Sequence, residues 1–434
     1  MSEKIEVEFK GDIIKGVLIK ETEEYVTIKL ISGYNANLKK SEIKIIKREE
    51  MGDGRWETKL KITPNPQPPT PNPKITIIHT GGTIASKVDY RTGAVSSKFT
   101  SSELLNMYPE LNELAQIDTL MIGNLFSEDM RFAHYNLMLK EIEIAIKNKT
   151  SGIIITHGTD TMHYTSAALW YACKNLNIPV ILVGAQRSSD RASSDGFSNL
   201  EAAVNFIISN PNFRRVGICM HGTISDNDFL ILDGVNAKKL HSTRRDAFKQ
   251  INYLPFAKIL NKKQEILRNE LLSKERKEKF SVTLYDEKLR IGFFKAHPNL
   301  FSDEIKNLSI YRAVIVEGTG LGHLAVNVVD DFTKMHADNL KAVKELAKKT
   351  KVIMGVQTVY GETNMNIYST GRDLQSVGVI GNYLNLSTET LFIRTAFCLS
   401  QKEKKFEDIW NENLEGFEIK GGEIGDGGWE TKKN

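Results

Sequence analysis

Two threonines stand where a hydroxyl could attack an acyl carbon. Thr83 closes the glycine hinge of "ITIIHTGGTIAS" (residues 75–86), directly after a β-branched run. Thr159 sits in "THGTDTMHYTSAAL" (156–169), again after such a run, with Asp160 beside it. A threonine hydroxyl is a poor nucleophile until a base takes its proton. Candidate bases lie in "LDGVNAKKLHSTRRDAF" (232–248), which holds Lys238, Lys239 and His241. A fourth stretch, "GNLFSEDM" (123–130), sets Ser127, Glu128 and Asp129 on a short loop. Neither glycine-rich segment is a phosphate cradle: the Lys-Ser/Thr ending and the G-x-G-x-x-G spacing are both absent. Taken singly, each piece has a plainer reading as a tight turn, a helix N-cap at Thr159 or Thr161, or a polar loop. Together they put hydroxyls, carboxylates and amines at the disposal of one site.

The elements that must bring them together are legible in the pattern. "KITIIH", "SGIIITH", "PVILVG" and "RRVGICMHG" are near-continuous apolar runs, and helical patterns such as "SNLEAAVNFIIS" separate them. That alternation predicts a parallel sheet covered on both faces, with ligands at the carboxyl ends of its strands. A second series from Arg290, "LRIGFFKA", "AVIVEG", "ADNLKAVKELAKKT" and "KVIMGVQT", predicts a smaller α/β lobe. Six of the eleven prolines fall in 63–73, a segment that can neither pair in a sheet nor continue a helix. It divides off a first unit, residues 1–62, whose short alternating segments predict a small all-β barrel of the SH3 or Sm kind. That unit carries no cluster suited to chemistry, which points to docking of protein or RNA. The charged stretch 261–279 alternates in sign and is expected to be a solvated helix face.

The net charge of +4 over 434 residues neither demands nor excludes a nucleic-acid partner. Three scattered cysteines match no metal spacing and suit a reducing cytoplasm. No apolar run has the length of a membrane span. "GDGRWETK" at 52–59 recurs as "GDGGWETK" at 425–432, and nothing physical in the sequence explains the repetition.

"TGGTIA", "HGTDTM" and "PVILVGAQRSSDRASSDGFSNLEAAV" (179–204) resemble the asparaginase/glutaminase superfamily over roughly residues 74–400. The resemblance implies a two-lobe fold with parallel sheets, its large lobe at 74–285 and its small lobe at 286–400, followed by an extension at 401–434. It implies hydrolysis of a side-chain carboxamide with no metal and no cofactor on this chain. Thr83 is then the first nucleophile, on a closing loop that also carries Tyr90, although which threonine forms the acyl-enzyme stays open. Thr159, Asp160 and Lys239 correspond to a second, triad-like group; Lys239 is chosen over Lys238 by the fit of "KLH". The Thr159 N–H is a candidate oxyanion donor. Ser127 and Asp160 correspond to residues that hold the substrate's α-carboxylate and α-ammonium, and Glu128 departs from the glutamine of some relatives. Glu362 in "YGETNMNIYSTG" is the candidate acid that crosses to a neighbouring copy of the chain.

The β unit, the proline spacer, "SEDM", "VEGTGLGHLA" (316–325) and "QTVYGETNMNIYSTGRDL" (357–374) resemble one branch of that superfamily, the glutaminase components of archaeal tRNA-dependent amidotransferases. That branch implies ammonia from glutamine passed to a kinase-amidase partner, the E subunit of the amidotransferase. The partner uses ATP and Mg to convert Glu-tRNA(Gln) to Gln-tRNA(Gln), in a cytoplasmic heterotetramer built on a homodimer. The alternatives are a free-standing asparaginase or glutaminase, and a non-catalytic scaffold for RNA or protein.

Overall fold

The computed structural model describes residues 3–9, 12–30, 35–50, 73–81, 86–88, 95–97, 110–187, 194–269, 272 and 278–415. By its internal contacts the chain divides into two units, Met1–Pro66 and Gln67–Asn434. Both copies of the repeated GDG-x-WETK segment lie outside the described residues.

In the first unit the alternating segments form strands Glu3–Phe9, Asp12–Glu21, Tyr25–Leu30, Asn35–Lys39 and Ile43–Glu50. They make one antiparallel sheet in which the first strand pairs with both the second and the fifth. Because side chains alternate across a strand, Ile5 and Val7 reach the same face, where Val26, Ile28 and Leu38 complete a small apolar core. A 3-10 turn, Lys40–Glu42, leads into the last strand.

The second unit is built on an eight-stranded sheet. Across it run Lys263–Ile266, Ala257–Leu260, Asp228–Asp233, Val216–His221, Val180–Val183, Gly152–Thr156, Lys74–Gly81 and Gln116–Leu125. The last five named are mutually parallel. Ile153–Ile155 and Val180–Val183 are fully buried, as strands covered on both faces must be. Helices Phe132–Lys147, Met162–Ala172 and Gly196–Ser209 carry the chain between them. The smaller lobe has three parallel strands, Ile291–Lys295, Ala313–Gly318 and Lys351–Val356. Helix Thr388–Ser400 contacts two of those strands and also helix Met162–Ala172, so it links the two lobes.

Two features differ from the sequence reading. The large sheet is mixed, because three antiparallel strands extend it beyond Val216–His221. One of them, Lys263–Ile266, falls in the stretch expected to be a charged helix. Its exposure alternates with a period of two rather than following a helical stripe. Asn261 and Lys262, both at positive φ (50° and 63°), turn it back on Ala257–Leu260 as a two-residue hairpin. Cys173, Cys219 and Cys398 are buried and free, and burial pushes the thiols of Cys173 and Cys398 up to about 12. Among the described residues no helix is long and apolar enough to cross a membrane.

Candidate active site

The site is built at the carboxyl ends of the parallel strands. Strand Lys74–Gly81 ends at the hinge. Thr80 is fully buried, and its hydroxyl donates to the Thr156 carbonyl at 2.9 Å, lashing this strand to its neighbour. Gly81 has φ +111°, and a Cβ there would lie 2.4 Å from the Leu125 backbone nitrogen, so only glycine fits. Of the two threonines around the glycine pair, Thr80 is therefore structural. Thr83 and Tyr90 lie outside the described residues.

Strand Gly152–Thr156 delivers the second motif. His157 is fully buried, with one ring nitrogen 2.7 Å from the Gly158 carbonyl and the other 2.9 Å from the Thr165 hydroxyl. Burial pushes its imidazole down to about 4, against the pull of the Gly158 carbonyl, so it stays neutral and braces the turn. At Gly158 a Cβ would come within 2.9 Å of Ser127 Cβ and 3.0 Å of its Oγ. The missing side chain lets the 3-10 turn Ser127–Asp129 sit directly against the Thr159 loop. The Thr161 hydroxyl, at the N-cap of helix Met162–Ala172, donates to the Ser127 carbonyl at 2.5 Å. Ser127 is buried, while Glu128 on the same turn faces solvent.

The amine comes from far along the chain. Strand Ala237–Lys239 pairs with Phe248–Gln250. Lys239, with its side chain 8% exposed, places Nζ 2.7 Å from the Thr159 hydroxyl and 2.7 Å from a carboxylate oxygen of Asp160. The Asp160 side chain is 66% exposed, so water screens much of its charge. Lys238 goes elsewhere. Its Nζ lies 2.5 Å from Glu389 on the helix that links the lobes. Adjacent lysines on a strand point to opposite sides, and the two acidic partners here lie on different elements. His241 is exposed, and its Nδ1 accepts the backbone N–H groups of Thr243 and Arg244, both at 3.1 Å, so it orders its own turn.

Glu362 is half-buried and has no hydrogen bond or ion pair among the described residues; the structure does not bring it into contact with Thr159, Asp160 or Lys239. Its neighbour Gly361 exchanges two hydrogen bonds with the Asn252 side chain, just past the strand that pairs with Lys239. A cleft of about 380 Å³ lined by Trp170, Arg214 and Glu415 includes Val216, the first residue of its strand. It thus opens at the amino ends, opposite the Thr159 cluster.

Three positioning features escaped the sequence reading. Gly158 makes room for Ser127. Gly184 makes room for Thr159, since a Cβ there would lie 2.8 Å from Thr159 Cγ2 and 2.9 Å from the His157 carbonyl. Asp195, buried at 1% exposure, accepts the backbone N–H groups of Gln186 and Arg187 and so fixes the chain after strand Val180–Val183. The glycines next to the motif residues were the only available signal for the first two.

Two α/β lobes, with a threonine, an aspartate and a lysine gathered at the strand ends of the larger one, define the asparaginase/glutaminase class of fold. The model described as Asparaginase, N-terminal, matches residues 74–272, and Glutaminase/Asparaginase C-terminal domain matches residues 290–410. Within that class the chain belongs to the family of glutamyl-tRNA(Gln) amidotransferase D subunits. It is 37% identical to the D subunit of Methanococcus vannielii over 92% of this chain and 93% of that one. It is 38% identical to that of Pyrococcus furiosus over 91% of this chain and 86% of that one. Among solved structures, the L-asparaginase of Thermococcus kodakarensis is 25% identical with a TM-score of 0.66, covering 79% of this chain and 98% of that one.

Proposed function

We propose that this chain is the glutaminase component of a tRNA-dependent amidotransferase, releasing ammonia from glutamine with a threonine nucleophile. The observation that carries the reading is the Lys239 amine, 2.7 Å from both the Thr159 hydroxyl and Asp160. In this reading the Thr83 hydroxyl attacks the carboxamide carbon, the C–N bond breaks, and the nitrogen leaves as ammonia. Water then cleaves the threonyl ester to give glutamate. Lys239, when unprotonated, takes a proton through the Thr159 hydroxyl, and the Thr159 N–H faces the developing oxyanion. Ser127 and Asp160 hold the α-carboxylate and α-ammonium of glutamine, and Tyr90 closes over it. The exposed Glu128 and the half-buried Glu362 complete the ammonium side, Glu362 from a neighbouring copy.

The ammonia goes to a partner, the E subunit, which activates Glu-tRNA(Gln) with ATP and Mg and amidates it. Both nucleotide and metal then belong to the partner. The near full-length match to D-subunit relatives supports this assembly over a free-standing asparaginase, whose solved examples cover less of the chain. Affinity purification from native cells tests it. A second large polypeptide in equal amount, conferring ATP-dependent amidation of Glu-tRNA(Gln), is the expected result. A lone homo-oligomer that frees ammonia into solution would make the chain an asparaginase or glutaminase with added domains.

A further inference from the structure

Lys238 has no part in the reaction just described, yet it is held as firmly as Lys239. Its partner Glu389 is half-buried (side chain 15% exposed) on the helix that links the lobes. Burial pushes the Glu389 carboxyl up, but the charge and hydrogen bond of Lys238 outweigh it and hold it below the ordinary value. His163 shows that these charges share one neighbourhood. It lies on helix Met162–Ala172, buried, and its ring is pushed down to about 4, chiefly by burial. Glu389 draws it up, whereas Lys238 and Lys239 both push it down.

We propose that the Lys238–Glu389 ion pair is a charge-balancing brace that acts through Lys239, fixing its strand and cancelling the second lysine's charge beside it. This rests on the reading of Lys239 as the base. Among the described residues, the charged and titratable groups around Lys239 are these. The strand-to-helix loop contributes Asp160 and the helix after it His163. Lys238 is next on its own strand and Lys249 lies on the paired strand. The connecting loop holds His241, which accepts from its own turn, Arg245, which pairs with Asp226, and Arg244 and Asp246, which bond to each other. The second lobe contributes Glu389. Lys249 is partly offset by Asp246, 3.8 Å away. Glu389 is therefore the group that neutralises Lys238, and both are positioning residues rather than catalytic ones.

The signs follow from Coulomb's law. Glu389→Gln leaves a bare cation near Lys239, so the base is freed at lower pH and the acid limb of kcat/KM moves down. Lys238→Met leaves a bare anion, so that limb moves up, by less, because buried Glu389 then accepts a proton more readily. Each displacement is about half a pH unit to one unit, as expected for one charge at strand-neighbour distance and intermediate dielectric. The double variant removes both charges and returns the limb to its original position, which a purely structural role cannot do.

The experiment measures ammonia release from glutamine against pH for the whole protein and these three variants, with circular dichroism to check folding. Opposite displacements that vanish in the double variant are expected. Displacements of the same sign, or none, while Lys239→Met is inactive, overturn the brace and leave the proposed reaction standing. Full activity in Lys239→Met overturns both. Should Glu389→Gln fail to fold, the sign of the Lys238→Met displacement decides alone.

Discussion

Lys239 makes two polar contacts at 2.7 Å, to Thr159 and Asp160, and each rests on an amine that methionine cannot replace. Lys239→Met is expected to lower kcat/KM for glutamine at least about a hundredfold, the usual cost of losing a general base. Lys238→Met, at the pH optimum, loses far less. The reverse ranking would place the site one residue away. The two threonines are separated by trapping. Thr83→Ala should accumulate no acyl species on denaturing mass spectrometry, whereas Thr159→Ala should retain one. An acyl group found on Thr159 in the Thr83→Ala protein would exchange their roles.

At the scale of elements, the site is a set of close approaches between strand ends. Gly184 follows strand Val180–Val183 and passes Thr159 so closely that a Cβ would sit 2.8 Å from its methyl group. The other near atom is the His157 carbonyl, part of a backbone that cannot yield cheaply. Gly184→Ala is expected to destabilise the protein by about 1–3 kcal/mol, as overpacking does. It should also displace Thr159 from Lys239, so kcat falls more than the loss of folded protein explains. Urea unfolding beside steady-state kinetics separates the two effects. An unchanged kcat per folded molecule would show that Thr159 tolerates the shift.

Two predictions belong to the whole molecule. His79, His157, His163 and His221 are buried neutral, each pushed down to about 4 chiefly by desolvation. Their folded values lie below the unfolded value near 6.5, so the unfolded chain binds more protons between those limits. Stability is therefore fully present above about pH 6.5 and falls as the pH drops toward about 4, read as the urea midpoint across that window. A flat midpoint would mean that these rings are protonated in the folded protein. The second concerns the last described turn. Glu415 accepts from Arg394 and from the Tyr171 hydroxyl, and all three are buried. Glu415→Ala leaves the Arg394 charge uncompensated and is expected to cost about 3–5 kcal/mol. A thermal midpoint within about a degree of the parent would refute that.

Much of this molecule was legible because its signals are local. A β-branched run that stops at glycine is a buried strand ending in a sharp turn, whatever lies beside it, and so Lys74–Gly81 and Gly152–Thr156 could be placed from the chain alone. The short alternating segments before the proline run formed strands, as expected of them, five in number. The Thr159–Lys239 contact lies at the strand ends that the β-branched runs mark. Side-chain destinations were another matter, because they depend on residues far away in sequence. Lys239 meets Thr159 across 80 positions and Lys238 meets Glu389 across 151, so neither lysine's partner is written in the segment that holds them. Thr80 looks as reactive as Thr83 until Thr156 is seen to take its hydrogen bond. The hairpin at 257–266 was hidden because alternating charge suits a solvated strand as well as a helix, and only pairing with Asp228–Asp233 selects between them. Sequence determined the buried strands and where they turn; the tertiary structure decided the 257–266 hairpin and which side chains face one another, because those choices are made by contacts between segments the chain itself keeps apart.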